Sequence, residues 1–152
     1  MDKIRRIIYV CTGNMGRSPM ALAAARREAE NRKLSVELDS YGTCTFSGYP
    51  AERESVEACA SVGLDISDHV TKSAYDIQDT EDTLYAVMSR EHKTWLRVYK
   101  RIPGSRIVLL GNGISDPCGG GLDEYKDTLE NIVAAVHALF NLYSKNFQSN
   151  RS

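Results

Sequence analysis

The chain has 152 residues, close to the commonest size of a single domain and enough to bury a core without disulfides or metals. Its 19 basic and 20 acidic residues leave a net charge of −1, which argues against coating nucleic acid or an anionic membrane. No apolar run approaches the ~20 residues that span a bilayer, and four scattered cysteines without a C-x-x-C pair fit reduced thiols. We therefore expect a cytoplasmic protein with no nucleic-acid partner, no membrane partner and no metal site.

The first half of the chain predicts a strand, a loop and a helix, followed by a second strand and a second helix. Ile4 to Val10 has the β-branched and aromatic content of a buried strand and ends at the segment CTGNMGRSP. The alanine-rich run from Pro19 to Asn31 predicts a helix. Leu34 to Tyr41 then predicts a strand, and Ala51 to Val62 predicts a helix.

The second half continues the alternation of strands and helices. Thr83 to Met88 predicts a third strand, followed by a helix that runs to about Tyr99. Arg106 to Leu110 predicts a fourth strand, and the glycine-rich stretch from Gly111 to Gly121 predicts a loop. Apolar residues at helical spacing then predict a long closing helix from Asp123 to about Tyr143.

This alternation predicts an α/β fold in one domain, residues 1–145, with a flexible C-terminal tail over residues 146–152. We expect a doubly wound, parallel, four-stranded sheet flanked by helices, with a phosphate-binding loop after the first strand. Ligands of such sheets bind beyond the carboxyl ends of the strands. Cys11 and Asp116 each follow a predicted strand, so both should lie at that edge.

Cys11 and Arg17 are separated by five residues and frame a loop that ends where a helix begins. Such a loop can aim backbone N–H groups at a tetrahedral oxyanion, and Gly13 and Gly16 permit the backbone angles this requires. Arg17 can grip two phosphate oxygens with its planar fork, while the helix N-terminus adds positive charge. The same surroundings favour a Cys11 thiolate, to which Ser18 can donate a hydrogen bond. The loop therefore predicts a nucleophilic cysteine at a phosphate site, and the nucleotide-binding pattern G-x-x-x-x-G-K-[ST] is absent.

The run VCTGNMGRSPMA, followed by DSYGT, GLDISDH and a late SDP, resembles the low-molecular-weight protein tyrosine phosphatase family, whose loop pattern is V-C-x-G-N-x-C-R-S-P. The resemblance implies hydrolysis of phosphotyrosine monoesters through a phosphocysteine intermediate, without a cofactor. It makes Cys11 the nucleophile, Arg17 the phosphate clamp and Asp116 the general acid and then base. The implied phosphate-binding loop comprises Thr12, Gly13, Asn14, Met15, Gly16 and Ser18, and the residues expected to support it are Ser40 and His69. His92 and His137 lie on predicted helices without such support.

The loop departs from the family pattern at Gly16, where members usually carry a second cysteine that can form a disulfide with the nucleophile. Oxidised Cys11 therefore lacks its usual partner and can advance to irreversible forms more easily. Cys118, two residues after Asp116, is one candidate for a substitute resolving thiol, and a small loop residue is the plainer interpretation. Arsenate reductases resemble this family but relay electrons through further cysteines, and residues 60–117 contain none.

The substrate is less strongly indicated than the reaction. The resemblance implies a pocket wall at Phe46, to which Tyr41 or Tyr49 could contribute, but no aromatic residue follows Asp-Pro here. The run DPCGGG is closer to the DPFGG form of the family's protein arginine phosphatases, whereas Met15 stands where those enzymes have threonine. Because a thioether can pack against an aryl ring and has no hydroxyl, Met15 favours phosphotyrosine.

Two alternatives to a tyrosine phosphatase stay open, a protein arginine phosphatase of the same family and a phosphate-binding homologue without turnover. The expected partner is a phosphorylated protein or peptide, with an autophosphorylating tyrosine kinase as one candidate.

Overall fold

The computed structural model describes residues 2–149. Its strands are β1 (Arg6–Cys11), β2 (Leu34–Ser35), β3 (Glu37–Gly42), β4 (Thr83–Val87), β5 (Ile107–Leu109) and β6 (Gln148–Ser149). Its α-helices are α1 (Arg17–Asn31), α2 (Arg53–Ala60), α3 (Arg90–Tyr99) and α4 (Leu122–Leu142). Within these residues, no helix combines the length and the apolar character that crossing a membrane requires.

Four of the strands form one parallel sheet in the order β3-β1-β4-β5. The first strand lies inside the sheet, where Val10 pairs with Tyr41 on one side and with Val87 on the other. This arrangement confirms the predicted α/β fold with a four-stranded parallel sheet. Since all four strands run the same way, their carboxyl ends meet at one edge, and Cys11 ends β1 there.

The two faces of β1 belong to different parts of the core. Ile7 and Tyr9 face a large apolar cluster to which α1, α2 and α4 contribute. Ile8 and Val10 point the other way, into a smaller cluster that includes Leu96 of α3. Because successive strand residues alternate between faces, an almost wholly apolar strand requires cover on both sides. The helices provide that cover, so β1 and the residue that ends it are buried.

The predicted second strand, residues 34–41, is not one strand. Residues 34 and 35 form β2, which pairs antiparallel with β6 in a separate two-stranded sheet, and β3 joins the main sheet. Residues 146–149, part of the segment expected to be a flexible tail, include β6 and so take part in this pairing, and residues 150–152 lie outside the described residues. Phe147 stacks on Phe140 of α4 with ring centroids 5.1 Å apart. An aromatic anchor and a strand partner hold this segment despite its polar composition.

Candidate active site

The backbone of the loop after β1 is held from outside. The carbonyl of Cys11 accepts the N–H of Thr43 at 2.9 Å, and the carbonyl of Thr12 accepts the N–H of Cys44 at 2.9 Å. The carbonyl of Met15 accepts the N–H of Glu52, the residue before α2, at 2.8 Å. These bonds turn three loop carbonyls towards the neighbouring segments and so hold the loop from outside.

The glycines act differently from the sequence-based expectation. Neither Gly13 nor Gly16 has a positive φ, and the left-handed residue of the loop is Asn14, with φ of 56°. The glycine that the loop does require is Gly42 at the end of β3, where a Cβ would lie 2.6 Å from the carbonyl oxygen of Thr12. Glycine therefore serves the close approach of β3 to the loop.

Asn14 is fully buried and connects the loop to its surroundings. Its side-chain amide donates to Ser18 Oγ at 2.8 Å and to Ser40 Oγ at 2.9 Å. Its side-chain oxygen accepts the backbone N–H of Lys72 at 2.9 Å. Its backbone carbonyl lies 2.7 Å from Nε2 of His69, which donates to it, and burial lowers the pKa of His69. The structure thus brings together Asn14 and Ser18 of the predicted loop with Ser40 and His69, the two residues that the resemblance implied as its support.

The Cys11 sulfur lies at the base of the loop, and the residue is 2% exposed. Ser18 Oγ is 2.9 Å from Sγ, and the backbone N–H of Asn14 donates to Sγ at 3.3 Å. Because Ser18 Oγ already accepts from Asn14, its own hydroxyl hydrogen is available for the sulfur. Two hydrogen-bond donors are therefore aimed at one sulfur next to the start of α1.

Arg17 joins this loop to the loop after β5. Its Nη1 donates to the carbonyl oxygen of Ile114 at 2.9 Å, and its Nη2 lies 3.7 Å from Oδ2 of Asp116. The N–H of Ile114 in turn donates to the carbonyl of Met88 at the end of β4. Asp116 is more than half exposed, and its Oδ1 accepts the N–H of Cys118 at 3.0 Å. A thiol, a guanidinium and a carboxylate therefore lie at one sheet edge.

The structure shows where the three aromatic residues expected to form a pocket wall lie, and their role at the site stays a prediction. Phe46 is 79% exposed, and Tyr49 is also exposed. Tyr41 packs against the smaller core cluster, with its ring beneath the ammonium of Lys72. None of the three lines the groove beside Arg17 and Asp116. The groove includes Arg17, Met88, Ser89, Arg90, Glu91, Asn112, Ser115 and Asp116.

His92 is a site neighbour that the sequence did not indicate. It is buried in the first turn of α3, and its Nε2 lies 2.9 Å from Oγ1 of Thr12. Its Nδ1 accepts the backbone N–H of Ser89 at 3.1 Å in a capping box. Burial, and after it the nearby Arg17 cation, lower the pKa of His92 to about 4. The signal available in the sequence was the spacing S-x-x-H at a helix start, which predicts a cap but no contact with the loop.

The four cysteines are free thiols, with Cys11 and Cys59 buried and Cys44 and Cys118 exposed. The plainer interpretation of Cys118, a small loop residue without a redox role, stays a prediction. Over residues 2–149, no three His, Cys, Asp or Glu side chains are grouped to hold a metal ion.

The family model for low molecular weight phosphotyrosine protein phosphatase matches residues 6–150. A probable low molecular weight protein-tyrosine-phosphatase, EpsP of Ralstonia nicotianae, is 32% identical and aligns over 89% of this chain and 93% of its own. The protein-arginine-phosphatase of Bacillus subtilis is 28% identical over 88% of this chain and 93% of its own.

Solved structures show the same similarity. The low molecular weight protein tyrosine phosphatase from T. tengcongensis has a TM-score of 0.82 and 31% identity, covering 90% of this chain and 98% of that one. A YwlE arginine phosphatase mutant with a phosphorylated active-site serine has a TM-score of 0.82 and 27% identity, covering 93% of this chain and 97% of that one.

Proposed function

This chain belongs to the low molecular weight phosphotyrosine protein phosphatase family, and on that premise we propose that it hydrolyses phosphotyrosine in proteins through a phosphocysteine intermediate. Cys11 is the nucleophile, Arg17 the phosphate clamp and Asp116 the general acid and base. The observation that carries this assignment is the Cys11 sulfur with two hydrogen-bond donors, in a loop whose arginine reaches the segment that holds Asp116. Such an arrangement supports nucleophilic attack at a bound phosphate.

In the first step, the Cys11 thiolate attacks phosphorus, and the bond from phosphorus to the phenolic oxygen breaks. Protonated Asp116 gives its proton to that oxygen, so tyrosine leaves neutral. Arg17 stabilises the phosphoryl oxygens in the transition state, together with the loop N–H groups. Nη1 of Arg17 continues to donate to the carbonyl oxygen of Ile114, and this hydrogen bond fixes the direction of the guanidinium.

In the second step, water attacks the phosphorus of phosphocysteine while the Asp116 carboxylate takes a proton from that water. The bond between sulfur and phosphorus breaks, and the electron pair returns to Cys11 as a thiolate. Ser18 stabilises the departing sulfur, because its hydroxyl hydrogen is directed to it by the bond from Asn14. Inorganic phosphate then leaves, and the resting enzyme is restored.

The catalytic assignment is tested with aryl phosphates in excess chelator. Cys11→Ser should lower kcat by about a thousandfold or more, whereas Cys59→Ala, a matched change at the other buried cysteine, should leave kcat within about twofold. Asp116→Ala should lower kcat by about a hundredfold on phenyl phosphate. The loss should be smaller on para-nitrophenyl phosphate, whose leaving group needs no proton. Chelator-sensitive turnover, or equal losses on the two esters, would contradict the assigned roles.

The preference for phosphotyrosine is supported by Met15, which offers no hydroxyl beside the loop. Protein arginine phosphatase activity is the second candidate, and the similarity to the YwlE arginine phosphatase supports it. Rates on matched phosphotyrosine and phosphoarginine peptides decide between them. We expect wild type to prefer phosphotyrosine, Met15→Thr to shift the ratio towards phosphoarginine, and Met15→Leu to leave it unchanged. A wild-type preference for phosphoarginine would overturn the substrate assignment.

A phosphate-binding homologue without turnover is the third candidate. It predicts phosphate binding with no burst of product and no phosphocysteine in a rapid acid quench. The partner that we propose is a phosphorylated protein of the cytoplasm, with an autophosphorylating tyrosine kinase as one candidate. Detection of phosphocysteine on Cys11 would remove the non-catalytic alternative.

A further inference from the structure

The imidazole of His92 links two elements that meet at the site. One ring nitrogen contacts the backbone of Ser89 at the start of α3, and the other contacts the Thr12 hydroxyl in the loop. The His92 residue is 3% exposed, so water does not compete for these bonds. His92 is therefore the side chain through which α3 holds the residue next to the nucleophile.

The direction of each hydrogen bond follows from the donors and acceptors available. The Ser89 backbone N–H can only donate, so the Nδ1 atom facing it carries no hydrogen. A neutral imidazole then has its hydrogen on Nε2, which donates to Oγ1 of Thr12 at 2.9 Å. Burial and the Arg17 cation keep the ring neutral by lowering its pKa to about 4. The tautomer is thus determined by the start of α3.

This bond also orients the Thr12 hydroxyl. Because Oγ1 accepts from His92, its hydrogen points elsewhere, and Thr12 is an exposed residue directly after Cys11. A hydroxyl that is held as a donor suits an anionic oxygen, and a phosphate in the loop presents such oxygens. A freely rotating threonine would lose this preorganisation.

We propose that His92 is a positioning residue of this enzyme, which acts by holding the Thr12 hydroxyl as a hydrogen-bond donor to the phosphoryl group in the loop. The inference rests on the proposed function for the identity of that group. Thr12 contacts the substrate, and His92 acts only through Thr12. The alternative is that His92 merely caps α3, in which case its removal affects stability and leaves the Thr12 hydroxyl with an independent effect.

A double-mutant cycle separates these roles. Thr12→Val removes the hydroxyl at nearly constant shape, and His92→Leu removes both nitrogens. Each change should lower kcat/KM and weaken inorganic phosphate binding by about tenfold, since each removes one hydrogen bond to a charged group. The double variant should also lose about tenfold, and not the hundredfold of two independent changes. His92→Gln, which offers an acceptor for Ser89 and a donor for Thr12, should restore both quantities to within about threefold.

Two further measurements test the role of His92 without relying on the stability of the variants or on turnover. In wild type, 15N NMR should show His92 protonated on Nε2 alone at neutral pH, and Thr12→Val should shift the Nε2–H resonance. The phosphate dissociation constants can be compared even if wild type does not turn over. Coupling in phosphate binding without turnover would sustain the His92 assignment while rejecting the proposed function. Additive losses, an Nδ1–H tautomer, or an unaffected His92→Leu enzyme would overturn the inference.

Discussion

Asn14→Ala tests whether the loop depends on one buried amide. The substitution removes the bonds to Ser18 and Ser40 and the bond from the Lys72 N–H, and leaves their polar groups buried without this partner. It also places alanine at a φ of 56°, a conformation that asparagine tolerates better. Both effects should destabilise the folded protein.

The expected loss can be worked out from these contacts. Three buried hydrogen bonds at about 1 kcal/mol each give about 3 kcal/mol. The left-handed backbone adds about 1 kcal/mol for alanine. Asn14→Ala should therefore lower the free energy of unfolding by about 4 kcal/mol and the Tm by about 12 °C in a chain of this size. Asn14→Gly is the matched control, since it loses the same bonds without backbone strain, and should lose about 3 kcal/mol.

Urea unfolding followed by circular dichroism measures both losses, and aryl phosphate turnover measures the effect on the site. Turnover should fall in both variants, because Ser18 no longer receives the bond that directs its hydroxyl to the Cys11 sulfur. A loss below about 1 kcal/mol for Asn14→Ala would refute this account of the hydrogen bonds. A glycine variant no more stable than the alanine variant would refute the account of the backbone.

Two other changes probe the oxidation of the nucleophile and the pH dependence of stability. In wild type, mild peroxide should convert Cys11 to sulfinic or sulfonic acid without a disulfide, whereas Gly16→Cys should give a disulfide with Cys11 that dithiothreitol reverses, as mass spectrometry can show. A Cβ at position 16 would lie 3.4 Å from its nearest neighbour, Ser55 Oγ, so Gly16→Cys should fold. A disulfide between Cys11 and Cys118 in oxidised wild type would contradict the expected oxidation. Asp79→Asn should cost about 2 kcal/mol at pH 7, because both carboxylate oxygens accept from Arg106 at 2.8 and 2.5 Å. Burial acts to raise the pKa of Asp79, but its hydrogen bonds hold that pKa below 3.8. The stabilisation by the Asp79 carboxylate is therefore present above pH 3.8 and is lost as the pH falls through the lower pKa of the folded state. A difference in unfolding free energy between wild type and Asp79→Asn that does not change with pH would contradict this.

The order of strands and helices was predictable because each element is marked by a local pattern of apolar or β-branched residues. The limits of most elements moved by one to three residues, as for the closing helix, which begins at Leu122 instead of Asp123. The division of residues 34–41 was not predictable in this way. It depends on Leu34 pairing with Ser149, and no local pattern specifies a partner more than a hundred residues away.

The candidate site likewise contains some residues that the sequence indicates and others that only the fold connects to the loop. Cys11, Arg17 and Ser18 lie within eight consecutive residues, so their types and spacing can be read without a structure. Ser40 and His69 could be connected to the loop only through the resemblance to a family. The contact of His92 with Thr12 joins residues 80 positions apart, and helical periodicity indicates only that His92 lies near a helix start.

The sequence by itself determined which chemical groups the loop carries, because a thiol, a guanidinium and a hydroxyl are near neighbours along the chain where a helix begins. Only the tertiary structure decided how that chemistry is oriented. It placed the left-handed backbone at Asn14 instead of a loop glycine, required Gly42 for close approach, and brought a neutral His92 against Thr12. The physical reason is that donor directions and close approaches depend on which elements pack together, and packing couples residues that are distant along the chain.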